Sequence, residues 1–304
     1  MSDTVQSVLG EQVRKLVEAL PKNADPDLIW PMLDELGLER ALVADGAGGH
    51  GLDWSDLGEA LREWGAAAAP VDLASTLLAA WALDQSGIPL PDGPLQLEAE
   101  SLGVLAERPT TWRVVVSGHN EDEVALFDPA RSRVRQGSLQ PDRLRAALAV
   151  LLGAQISGAL DAALSLSIDY ATTRTQFGRP IAKFQAVQHL AAELAMETAA
   201  AGAAADFGLR RFSRSPGLAA AVAKSRTSRA ATAGAALAHQ IHGAIGVTEE
   251  HDLHRLTRAL WRWRDQAGGE HAWGRALGGS IAGDGATDLW AWVTDSLDGL
   301  ESAS

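Results

Sequence analysis

Arg174, Gln176 and Phe177 stand just ahead of Gly178 and Pro180 in "YATTRTQFGRPIAKFQAVQHLAAELA", residues 170–195. The glycine and the proline suffice for a turn between two apolar-periodic helices, the first releasing one helix and the second starting the next. The arginine, the amide and the phenylalanine are surplus to that need. An arginine presents a planar fork of donors that grips carboxylate or phosphate. With Arg179 and Lys183 close by, the segment suits an anionic ligand. A second stretch, "QIHGAIGVTEEHDLHRLTR" (240–258), offers the amide of Gln240 beside Gly243 and Gly246, where bare backbone can approach a ligand closely. Lys224, Arg226 and Arg229 form a further basic group.

Plainer roles stand beside these. Arg174 also reads as a helix-terminal arginine answering the macrodipole, and Phe177 as core filler. Glu249 and Glu250 read as a solvated helix start, and the tryptophans at 261, 263, 273, 290 and 292 as core or interface. His239 and His242 flank Gln240 with no third ligand at metal spacing, so no metal site is expected.

The elements that must position these residues follow from composition and periodicity. The chain has 304 residues, 46% of them hydrophobic, enough for a sizeable core. It has no cysteine, which excludes disulfides and Cys-ligated zinc or iron–sulfur sites. Its 39 acidic and 26 basic residues give a net charge of −13, which argues against nonspecific nucleic-acid binding. The opening "MSDTVQSVLGEQ" has no basic region followed by an apolar run, and no uninterrupted apolar stretch reaches membrane-spanning length, so a cytoplasmic protein with no membrane partner is expected.

Residues 5–20 place Val5, Val8, Leu9, Val13, Leu16, Val17 and Leu20 on one helical face. A second helix ends at Gly37, Asp53 or Ser55 caps a third over 55–64, and a fourth covers 71–86. From about residue 97 to 138 the pattern turns to short strands, "TTWRVVVSG" and "EVALFD", joined by the turn "GHNEDE", with strand character continuing in "DPARSRVRQG". Helix returns at Pro141 and persists over 181–213 and 216–242, with a looser pair over 250–279 and a short last helix in the tail. The division expected is 1–95 helical, 96–139 a small β-segment, and 140–304 a helical bundle: mainly α with a small β-segment.

The two quoted motifs resemble the C-terminal signatures of the acyl-CoA dehydrogenases, the second being their Gln-x-x-Gly-Gly-x-Gly loop. "GLERALVADGAGGHGLDWSDLGEALREWGAAAAP" resembles the family's N-terminal pattern, so the likeness spans all but the middle of the chain. The resemblance implies an N-terminal helical domain, a middle β-domain, here reduced, and a C-terminal four-helix bundle. It implies FAD as cofactor, an acyl-CoA thioester as substrate, and α,β-dehydrogenation as the reaction. It gives Arg174, Phe177, Gln185, Gln240 and Gly243 the ADP end of FAD, usually reached across a subunit interface. There an arginine would meet the pyrophosphate and the phenylalanine an adenine face. Ala244 departs from the pattern, standing where the family usually has its second glycine, so its methyl is expected to crowd the loop.

The same resemblance exposes what is missing. The catalytic glutamate of the common subfamilies aligns with Ala267, before Gly268; the alternative position on the long helix aligns with Leu148 and Ala149. Glu270 aligns only if three residues are inserted in "DQAGGEH". Trp112 and Ser117 stand in the β-segment without a recognisable flavin-ring motif. A chain with only the ADP-binding half of a site resembles the heteromeric, α2β2 acyl-CoA dehydrogenases of actinobacterial steroid side-chain breakdown, and implies a homologous partner subunit. Two alternatives stay open: a self-sufficient dehydrogenase using Glu270, and a non-enzymatic scaffold subunit.

Overall fold

The computed structural model describes residues 2–21, 24–105, 111–117, 123–283 and 289–297. Helix α1 (Ser2–Ala19) buries Leu9, Val13 and Leu16. Val5 and Val8, expected on that face, are exposed, because the packed stripe turns away from them in the first two turns. Helix α2 (Pro26–Leu36) begins at proline, with the Asp25 carboxylate accepting from the Asp27 amide. It ends at Gly37, whose left-handed φ of 65° lets its N–H reach the Asp34 carbonyl.

Asp53 caps a 3-10 turn over Trp54–Leu57 in a reciprocal arrangement with Asp56, and helix α3 (Gly58–Ala66) follows. Helix α4 (Leu73–Gln85) is capped by Asp72 and is buried on all sides from Leu73 to Leu83. Such a sequence, apolar all round, can only be a central helix.

Strands β1 (Leu95–Glu98), β2 (Trp112–Ser117), β3 (Glu123–Phe127) and β4 (Arg133–Ser138) form one sheet in sequence order. β1 pairs in parallel with β2, while β2–β3 and β3–β4 are antiparallel, with Val114 opposite Leu126. "LQLE" carries too little apolar contrast to read as a strand, and β1 escapes the sequence pattern for that reason. The turn expected at "GHNEDE" falls on residues 118–123, of which 118–122 lie outside the described residues.

Helix α5 (Pro141–Thr173) runs the length of the molecule. It is long and apolar enough to cross a membrane, but 83% of its most apolar window is buried inside the protein, as in a core helix. Helices α6 (Gln185–Arg211), α7 (Pro216–His242) and α8 (Leu253–Asp265) complete a four-helix bundle with it, and α9 (Glu270–Gly283) lies along α7. Helix α10 (Leu289–Leu297) is the last described element. α3 crosses α5 with backbone against backbone. A Cβ on Gly65 would stand 2.0 Å from the Gln155 carbonyl oxygen, and one on Gly158 2.0 Å from that of Arg62.

The link between α5 and α6 is not a helix–helix turn. α5 stops at Thr173, and β5 (Thr175–Gln176) pairs with β6 (Arg179–Pro180) in a two-residue hairpin. Phe177 and Gly178 at its tip both have positive φ, 50° and 77°, the signature of a primed hairpin turn. Pro180 therefore ends a strand and does not start α6, which begins at Gln185 after a 3-10 turn over Ile181–Lys183.

Candidate functional site

Arg174 caps the C-terminus of α5: its N–H donates to the Tyr170 carbonyl, and its own carbonyl accepts from Ile181 across the base of the hairpin. This fixes its backbone while the side chain stays exposed, with no carboxylate paired to it among the described residues. On the facing side α7 ends at His242, and Gly243 takes φ 65° and ψ −143°. Only glycine holds that conformation without strain; a Cβ there would meet open space, so the demand comes from the backbone turn itself. Gly246 is required for a different reason, since a Cβ would press within about 3.0 Å of His242 and Leu253.

Arg174, Gln176, Gln240 and Gly243 line one open cavity of about 370 Å³ between the hairpin and the start of the 243–247 loop. A single unpaired guanidinium, two amides and a glycine turn form a donor-rich cradle for an anion. Gln176, quoted in the sequence motif but not placed among the ligand residues, joins them. The wall beneath is an aromatic stack: the Tyr170 and His242 rings lie 4.7 Å apart at 19°, with His251 edge-on to His242 at 4.6 Å. No spacing rule reveals this stack, because its members come from three separate segments. Ala244 is exposed within a 3-10 turn and its φ is not positive, so its methyl is accommodated.

Two of the expected ligand residues lie elsewhere. Gln185 is exposed at the start of α6 and does not line the cavity. Phe177 is not core filler: at the hairpin tip it is 91% exposed, its ring edge-on to Phe184 at 6.1 Å between ring centres. Arg179 lies 4.2 Å over the other aromatic, Phe184, which holds the hairpin against the start of α6.

The histidines are structural. His239 Nε2 is 3.0 Å from the Thr257 hydroxyl, and His242 Nδ1 is 2.8 Å from the Ala238 carbonyl. Burial pushes both below the ordinary imidazole range, which keeps them neutral at pH 7. Among the described residues no group of three carboxylates or histidines could hold a metal.

Ala267, at the position aligned with the catalytic base, is buried and held at φ 56°. Its N–H donates to the Leu102 carbonyl, and its carbonyl accepts from Arg145 Nε at 3.1 Å and Trp273 Nε1 at 3.0 Å. Leu148 and Ala149 are fully buried. Glu270 opens α9, where a carboxylate answers the helix N-terminus.

Lys224 does not form a surface group with Arg226 and Arg229. It has no solvent exposure, and its Nζ donates to the carbonyls of Trp263 and Arg264 and to the Ser228 hydroxyl. Arg226 instead pairs with Glu197 at 2.7 Å, and Arg229 faces solvent. Lys224 thus caps the C-terminus of α8 immediately before the Ala267 turn.

The model of the acyl-CoA dehydrogenase C-terminal domain matches residues 143–264, which contain both motifs. The acyl-CoA dehydrogenase IpdE2 of Mycobacterium tuberculosis is 31% identical over 253 residues, spanning 74% of this chain and 78% of that one. The fold is shared with the ChsE4–ChsE5 complex of Mycobacterium tuberculosis, at a TM-score of 0.75 and 21% identity over 91% of this chain and 97% of the other. It is likewise shared with a variant of the Tcur3481–Tcur3483 steroid ACAD, at a TM-score of 0.74 and 21% identity over 94% of this chain and all of the other. Sequence kinship over three quarters of the chain, with a common fold over nearly all of it, makes this protein a member of the acyl-CoA dehydrogenase family.

Proposed function

We propose that the chain is a subunit of an FAD-dependent acyl-CoA dehydrogenase, supplying the ADP-binding half of a flavin site to a homologous partner and carrying no catalytic base of its own. The observation that supports this best is a contrast. The 174–243 cradle is intact and donor-rich, whereas the base position is occupied by a buried alanine whose peptide groups are already hydrogen-bonded on both sides. Arg174 would hold the pyrophosphate, Gln240 and the glycine turn would bind alongside, and Phe177, on its exposed hairpin, would reach a base face across an interface. Gln185, outside the cavity lining, is left out of this reading.

Bound flavin supplies the hydride acceptor for α,β-dehydrogenation of an acyl-CoA thioester. This chain's residues bind and orient; the proton is taken by a carboxylate of the partner. Glu270 is the weaker alternative, because it stands three residues past the aligned position and opens a new helix, α9. The likeness to the ChsE4–ChsE5 complex and to a steroid ACAD supports a partner subunit and a steroid CoA ester as substrate; the assembly we propose is α2β2, cytoplasmic, and acts on a side-chain ester.

The test is a visible absorbance spectrum of the chain purified alone and co-purified with a homologous acyl-CoA dehydrogenase subunit from the same organism. The chain alone should carry well below stoichiometric flavin, and the complex should be yellow. Near-stoichiometric flavin in the isolated chain contradicts the proposal.

A further inference from the structure

Helix α8 carries all its cations but Arg264 along one trough. His254, Arg255, Arg258 and Arg262 line a trough of about 420 Å³ against Ala68 and Pro70 of the loop between α3 and α4. No carboxylate lines this trough. In a chain of net charge −13 several other partly buried arginines are matched, Arg62 with Asp206, Arg113 with Glu98 and Arg226 with Glu197, while Arg211 keeps buried nitrogens without a hydrogen-bond partner among the described residues. Arg255 is only loosely held, 3.7 Å from Asp252 and 3.4 Å from the Ala67 carbonyl. Arg258 is exposed and has no ion-pair partner among the described residues. Asp72, which caps α4, interacts electrostatically with Arg262, and burial pushes its carboxyl up.

A row of helix arginines is ordinarily a solvated face. Here it borders a second cavity of about 410 Å³ that shares Ala24, Ala68, Pro70 and Arg255 with the trough. That cavity runs inward between α1, α5 and α8 and is walled largely by Val17, Leu20, Ala162, Leu166 and Leu256. Its two acids, Asp169 and Asp252, stand away from Arg258 and Arg262 in the lining. A recess walled mostly by apolar side chains, opening past the Arg255–Asp252 pair onto Arg258 and Arg262, has the polarity of a site for an amphiphile. None of these residues lines the cradle at Arg174.

We propose that this paired cavity binds an amphiphilic organic anion, with a phosphate or carboxylate head on the α8 arginines and an apolar body in the recess. Arginine forks suit both head groups, and the recess adds the burial that separates an amphiphile from a free anion.

Calorimetric titration of the full-length chain with octyl phosphate, octanoate, octanol and inorganic phosphate tests it. One or both amphiphiles should bind at least about tenfold more tightly than octanol and than inorganic phosphate, a difference of about 1.4 kcal/mol. The better of the two identifies the head group. Combining Arg258→Gln with Arg262→Gln should weaken the amphiphile by about tenfold or more, with the melting temperature and the flavin content of the complex unchanged. Ala162→Trp should weaken the amphiphile and leave inorganic phosphate unaffected. Absence of amphiphile binding, octanol binding as tightly as the anions, or wild-type affinity in the double variant overturns the proposal.

Discussion

Lys224 has an alkyl stem in an alanine-rich helix, no solvent exposure, and an amine that meets three oxygen acceptors. Burial lowers its pKa from the ordinary lysine value of 10.5 to about 7. The unfolded chain therefore binds more protons than the folded one between about pH 7 and pH 10, and stability should rise with pH across that window. Few other groups interfere there, since the chain has no cysteine and one tyrosine. Urea denaturation at pH 7 and pH 9.5 should show this rise in the wild type and a nearly flat response in Lys224→Met. An equal slope in both would mean that the lysine stays charged in the fold.

Phe177 makes the opposite kind of residue-scale test, because the account assigns it strain in the isolated chain and a contact in the assembly. A non-glycine residue in left-handed backbone costs about 1–2 kcal/mol, and its ring here is left in solvent. Phe177→Asn creates the Asn-Gly pair favoured in primed hairpins. It should raise the melting temperature of the isolated chain and at the same time lower the flavin affinity of the complex. A change in the same direction for both would remove Phe177 from the site. Neither residue's state was legible in the sequence. Lys224 looks like any lysine in an arginine-rich helix, and Phe177 looks like core, because burial depends on which neighbours arrive.

At the scale of elements, the helices were legible and their contacts were not. Apolar periodicity, a stop signal at Gly37 and a start signal at Pro141 mark helix ends by local chemistry, and the structure keeps both. The 174–180 break was misread because glycine and proline near a helix end fit two local structures. The choice fell to Ile181, which buries itself and closes the hairpin onto Arg174. The parallel pairing of β1 is a long-range event with no signal in "LQLE". The α3–α5 crossing is equally silent in the sequence, yet it predicts sharply. Gly158→Ala should destabilise the chain by about 1–3 kcal/mol or more, through overpacking against the Arg62 carbonyl. Gly202→Ala, mid-helix in α6 with nothing near its would-be Cβ, should stabilise the isolated chain by about 0.5–1 kcal/mol. Chemical denaturation of the two variants gives the comparison; shifts of the same sign would mean that the close helix crossing is not formed.

At the scale of the whole molecule, the motifs that could be read in the sequence are those we propose a ligand contacts. The cradle keeps Arg174, Gln240 and Gly243 together across 69 residues of chain, because α5 and α7 are packed side by side and both end at the same level. What such a half-site does depends on a partner, and the central claim is that Arg174 grips a flavin whose ring belongs to the other subunit. FAD titrated into the deflavinated complex, with Arg174 wild-type or replaced by alanine, measures this directly. Loss of a charge-assisted hydrogen bond of about 1.5–3 kcal/mol predicts a dissociation constant weakened about ten- to hundredfold. Arg174→Lys should recover part of the loss by keeping the charge without the fork. Equal dissociation constants for wild type and Arg174→Ala would contradict the account and leave the arginine as the cap of α5 alone.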